Sequence, residues 1–166
     1  MSELSESIEV IRRLRPQIIK PNLSKNEISS LLRNFLFRVS DEVHEFYSLT
    51  DGLSSSSQRV EFMFFSIHSL SKALSLYRYY VKNYTEGYSY QKNWLPLISM
   101  EDHEVVMPGS SEHRKTYELI DLGDDFNPMA CSESSLLCDF RTLTTAVVSA
   151  AVQLEREDRM YRERHC

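Results

Sequence analysis

The chain is predicted to fold as an α+β domain, a mostly antiparallel sheet flanked by helices. Apolar stripes at helical spacing open and close it, several short β-rich runs lie between, and a single helical pattern interrupts those runs. That order lacks the repeating strand–helix–strand alternation of a parallel sheet. At 166 residues the chain suits one domain around one core.

Ile8, Ile11 and Leu14 repeat at helical spacing before Pro16, which predicts a short peripheral helix within residues 1–22. Ser24 and Glu27 then form a capping box, with Leu23 placed to staple onto Ile28, and the stripe Ile28, Leu31, Leu32, Phe35 follows. Ser40 is the next N-cap, with Asp41 and Glu42 in the first turn, where the helix dipole favours negative charge. Val43, Phe46 and Tyr47 are its buried side, and Asp51-Gly52 supplies a turn that reaches positive backbone angles. The polar run from Ser54 to Gln58 reads as a surface loop.

Glu61 to Ile67 is dense in aromatics and predicts a buried strand. Ser69 or Ser71 caps a helix whose core face is Leu70, Leu74, Tyr77 and Val81. Trp94 to Ile98 is the next strand, and the donor missing at Pro96 calls for an edge or a bulge. His103 to Met107, Thr116 to Leu122 and Leu136 to Phe140 are further strands. Leu143, Val147, Ala151 and Leu154 line a closing helix with Thr142 or Thr144 at its cap. The globular part therefore spans residues 23–154, and residues 155–166 read as a charged helical extension with Glu155–Arg159 and Asp158–Arg162 pairs.

Composition narrows the function. A hydrophobic fraction of 42%, with nine tyrosines and eight phenylalanines, argues against a disordered chain. A net charge of -5 argues against a nucleic-acid backbone as partner and suits a basic protein better. No apolar run has the length of a signal-peptide core or a membrane span, so a cytoplasmic location is expected. Cys131, Cys138 and Cys166 have neither disulfide-framework nor zinc-finger spacing.

Catalytic motifs are missing. His44-Glu45 begins like a zincin helix, but Ser48 stands where the second ligand belongs. His103 and His113 are too far apart to share a helical or hairpin ligand site. No serine lies in a GxSxG turn, and Gly52, Gly87, Gly109 and Gly123 are too scattered to cradle phosphate. The expectation is a binding protein with no enzymatic activity and no cofactor or metal. Its candidate contact residues are the acidic turn residues Asp51, Glu101 and Asp102 with Gly52, and the aromatic residues Tyr84, Tyr88, Tyr90 and Trp94, since such rings anchor interfaces.

The runs SKNEI (24–28), VSDEVHEFYSLTDG (39–52), FMFFSIHSLSKAL (62–74), NWLPLI (93–98), TYELIDLG (116–123) and CDFRTLTTAV (138–147), in that order, resemble the SUKH superfamily. This is the fold of fungal cell-wall assembly regulators and of many bacterial immunity proteins. Val39-Ser40 and Asp51-Gly52 stand where that family usually has Leu-Pro and Asn-Gly, and the segment from Glu101 to Lys115 is longer than its usual Gly-Asp turn. The resemblance implies a non-enzymatic α+β domain that binds and neutralises a cognate toxin, often a nuclease, through the region of the Asp51-Gly52 turn and the Trp94 strand; the charge of the chain suits such a toxin if it is basic. A housekeeping scaffold or regulator of the same fold is the alternative.

Overall fold

A computed structural model describes residues 1–54, 65–86, 89–100, 103–123, 126–128 and 141–165. Among these residues are five α-helices and a four-stranded antiparallel sheet, which makes the fold α+β. The helices are α1 (Glu3–Leu14), α2 (Lys25–Leu32), α3 (Asp41–Leu49), α4 (Leu70–Asn83) and α5 (Leu143–His165). The strands are β1 (Ser66–Ile67), β2 (Trp94–Met100), β3 (His103–Pro108) and β4 (Ile120–Leu122), neighbours in that order.

Local chemistry sets most of the helix boundaries. Ser24 accepts from the Glu27 N–H at 3.3 Å while the Glu27 carboxylate accepts from the Ser24 N–H at 2.8 Å, closing the capping box that starts α2. Ser69 caps α4 through the Lys72 N–H. Thr142 and Thr145 exchange side-chain-to-backbone hydrogen bonds at 3.2 and 3.0 Å where α5 begins. Ser40 occupies the N-cap position of α3 without a capping hydrogen bond; its hydroxyl lies near Met107 Sδ and the Glu42 carboxylate instead.

The helix expected at the periphery is a core element. Leu4, Ile8 and Ile11 of α1 are almost completely buried in the main hydrophobic cluster, and α1 packs along α5, whose Leu143, Ala146, Val147, Ala150, Ala151 and Leu154 face inward. Three of those six inward residues are alanines, whose small side chains permit close approach of neighbouring elements. The same cluster takes Val43, Phe46 and Tyr47 from α3, Leu70, Ala73, Leu74 and Tyr77 from α4, and Leu95, Leu97, Val105 and Met107 from one face of the sheet.

Two stretches depart from expectation. α2 ends at Leu32, so Phe35 reaches the core from a bend rather than from the helix and meets Tyr77 edge-on with ring centroids 5.0 Å apart. Strand character before Gly123 is confined to Ile120–Leu122, because the Tyr117 N–H is taken by Glu42 and the Leu119 N–H by the Arg141 carbonyl. Pro96 sits in a strand with neighbours on both sides, and it is accommodated by an irregularity between Pro96 and Ile98, beyond the end of the two-residue β1. Of the strand expected at Glu61 to Ile67, Ser66 and Ile67 pair with β2 and residues 61–64 lie outside the described residues; the strand at Leu136 to Phe140 lies wholly outside them.

Candidate binding surface

The Asp51-Gly52 turn follows α3 and holds the sheet edge. Gly52 has φ of +109°, and a Cβ there would lie 2.7 Å from the Ile67 carbonyl oxygen, so no other residue fits without a shift. Immediately after it, Leu53 exchanges backbone hydrogen bonds with Ile67 at 3.0 and 2.9 Å. Asp51 Oδ1 accepts the Leu70 N–H at 2.8 Å, satisfying a free donor in the first turn of α4. Burial pushes the Asp51 carboxyl above its ordinary range, against the pull of that N–H and of Lys20 and with a further push from Glu27. Both residues singled out as contacts thus hold the fold together.

The aromatic candidates divide by depth. Tyr90 is 2% exposed and Trp94 7%, and with Val106 and Leu122 they form a second, smaller core on the other face of the sheet. Tyr90 donates to the Trp94 carbonyl at 2.6 Å, and burial raises its phenol above the ordinary tyrosine range. Tyr84 is half-buried and Phe126 packs 4.8 Å from it and 4.8 Å from Tyr80. Phe126 reaches that position with φ of 59°, a conformation that a bulky side chain adopts only when its surroundings hold it. Tyr88, Glu101 and Asp102 lie outside the described residues.

Among the described rings of this group Tyr79 is exposed, 53% accessible, and meets Tyr84 with centroids 5.9 Å apart. It is not among the contact residues read from the sequence. The helical period did contain the signal, since Tyr79 lies opposite the buried stripe Leu70, Leu74, Tyr77 and Val81. Its neighbours on the outer face of α4 are Lys72, Ser75 and Lys82, with Arg78 at the flank, all exposed.

Beside the aromatic group three polar residues from separate elements converge. Glu104 on β3 accepts from the Tyr80 hydroxyl at 3.5 Å and lies 3.3 Å from His68 Nε2. Burial and the Glu104 charge together hold the Tyr80 phenol well above its ordinary range. Nothing in the local sequence pairs His68 with Glu104; the β1–β2–β3 register does. No group of three or more His, Cys, Asp or Glu side chains among the described residues is arranged to hold a metal ion. No described helix is long and apolar enough to cross a membrane.

No family model matches the chain, and no curated protein matches it.

Proposed function

We propose that this chain is a non-enzymatic protein-binding domain that acts in the cytoplasm as an immunity protein, neutralising a cognate toxin by occluding it. The observation that supports a binding role is Tyr79: a large ring about half exposed, backed by packed aromatic residues and flanked by exposed cations, has the composition of an interface anchor. The order of short motifs resembling the SUKH superfamily supplies the toxin-neutralising part, and the net charge of -5 favours a partner that is basic as a whole. No cofactor enters this reading. A scaffold or regulator of the same fold is the second reading, supported by the same resemblance.

The test is capture of stoichiometric partners from the native host, followed by reconstitution from purified components. Immunity requires a one-to-one complex in which the partner's toxic activity is suppressed without turnover. Recovery of a cellular regulator alone would move the assignment to the scaffold reading, and a chain that retains no protein would remove both.

A further inference from the structure

Resting on the protein-binding reading, we infer that the outer face of α4 is a docking stripe for an acidic segment of the partner. Lys72, Ser75, Tyr79 and Lys82 follow one another at i, i+3, i+7 and i+10, a single line of about 15 Å at the helical rise, and Arg78 stands beside it. All five are exposed, with Tyr79 near the middle.

Among the described residues no ion pair involves the cations on this face. Ion pairs of Arg12 with Glu9, Arg13 with Glu155, Arg114 with Glu112 and Arg162 with Asp158 lie on other elements. Other described cations such as Lys25, Arg33 and Arg141 are in no described ion pair either, so what sets this face apart is the clustering of three cations around an exposed ring. Among the described residues Lys72, Arg78 and Lys82 have no carboxylate partner, and Arg78 only donates to Ser75 at 3.4 Å. The helix from Leu70 to Asn83 contains no acidic residue at all, in a chain whose net charge is -5. The helix dipole accounts for Lys82, in the last turn, but not for Lys72, in the first turn, where it disfavours a cation.

Carboxylates fit this face in kind and number. Arg78 presents a planar fork suited to two carboxylate oxygens, the lysines act as point charges, and Tyr79 adds apolar area with a hydroxyl donor. A nucleic acid is the poorer occupant: a duplex carries one charge per about 1.7 Å, and the net negative charge of the chain repels so dense a polyanion. The partner is thus expected to be basic overall yet to present an acidic strip at the point of contact.

The test uses a labelled peptide with glutamates at the spacing of the stripe, its glutamine counterpart, and a single-stranded DNA of equal charge. Binding is read by fluorescence anisotropy and by backbone amide shifts. The glutamate peptide should bind at least about tenfold more tightly than the glutamine one, shift α4 amides, and lose about tenfold or more when Lys72→Glu, Arg78→Glu and Lys82→Glu are combined. The milder Lys72→Gln with Lys82→Gln should give a smaller loss in the same direction if the triple variant folds poorly. Equal binding of the two peptides, shifts confined to other elements, indifference to both variants, or tighter binding of the DNA would each overturn the stripe. A partner captured equally well by the charge-reversed chain would also overturn it while leaving the protein-binding reading intact, whereas a wild-type chain that retains no protein removes that reading and leaves the peptide result to stand alone.

Discussion

Glu42 and Thr144, one in the first turn of α3 and the other in the first turn of α5, are joined by two hydrogen bonds: Glu42 Oε2 accepts the Thr144 N–H at 3.0 Å and its hydroxyl at 2.9 Å. The other carboxylate oxygen accepts the Tyr117 N–H at 3.3 Å. A buried acid, 4% exposed, therefore caps the closing helix and fixes the approach to β4. Glu42→Ala takes the acceptor from the buried Tyr117 N–H and from the part-buried Thr144 N–H and is expected to cost about 2–4 kcal/mol. Glu42→Gln keeps one acceptor oxygen and should cost less. Urea unfolding of the two variants beside the wild type measures both.

Gly52→Ala should destabilise by about 2 kcal/mol or more, because a positive φ and a backbone carbonyl 2.7 Å from the new Cβ act together. Thermal unfolding gives the value; a variant as stable as the wild type would mean that the Ile67 carbonyl moves freely.

Asp51 offers a prediction with a pH sign. Its carboxyl is raised by burial, so protonation favours the folded chain, and this contribution is complete below the unfolded carboxyl's pKa and lost as pH rises through the folded one. Asp51→Asn keeps an acceptor for the Leu70 N–H and does not titrate. Its stability relative to wild type should therefore improve as pH rises from below the ordinary aspartate pKa, about 3.9, through the raised one of the folded chain. Asp51→Ala should lose about 1 kcal/mol with the cap across that range. Urea titrations at several pH values decide the matter, and a difference between Asn and wild type that does not change with pH would refute the assignment.

Core and surface aromatics should separate cleanly. Trp94→Ala opens a cavity in the smaller core and is expected to cost about 3–5 kcal/mol, and Tyr90→Phe, which strands the Trp94 carbonyl, about 1 kcal/mol. Tyr79→Ala should stay within about 0.5 kcal/mol of wild type in stability while weakening partner capture. Equilibrium unfolding paired with partner capture on each variant gives both quantities.

Much of this fold was legible in the sequence where local chemistry decides. The Ser24–Glu27 box, the Ser69 cap and the buried stripe of α4 follow from side chains within a turn of one another. The depth of α1 was not legible, because the partner that buries it is α5, at the far end of the chain. Asp51 and Trp94 illustrate the same limit for the candidate site. A turn aspartate and an aromatic residue are chemically suited to an interface, and only strand register and helix placement reveal that one caps Leu70 and the other is covered. Tyr79 was the reverse case, with its exposure written in the helical period.

The packing of α1 on α5 also sets a timetable. The Arg13–Glu155 contact links residues 142 positions apart, so an emerging polypeptide presents Leu4, Ile8 and Ile11 to solvent long before their cover is synthesised. The first helix waits, apolar side outward, until the last one is available, and closure is a late, long-range event of the kind that slows folding. During that interval the nascent chain is exposed to chaperones and to self-association, and a premature stop that removes α5 would leave a product with no way to finish its core.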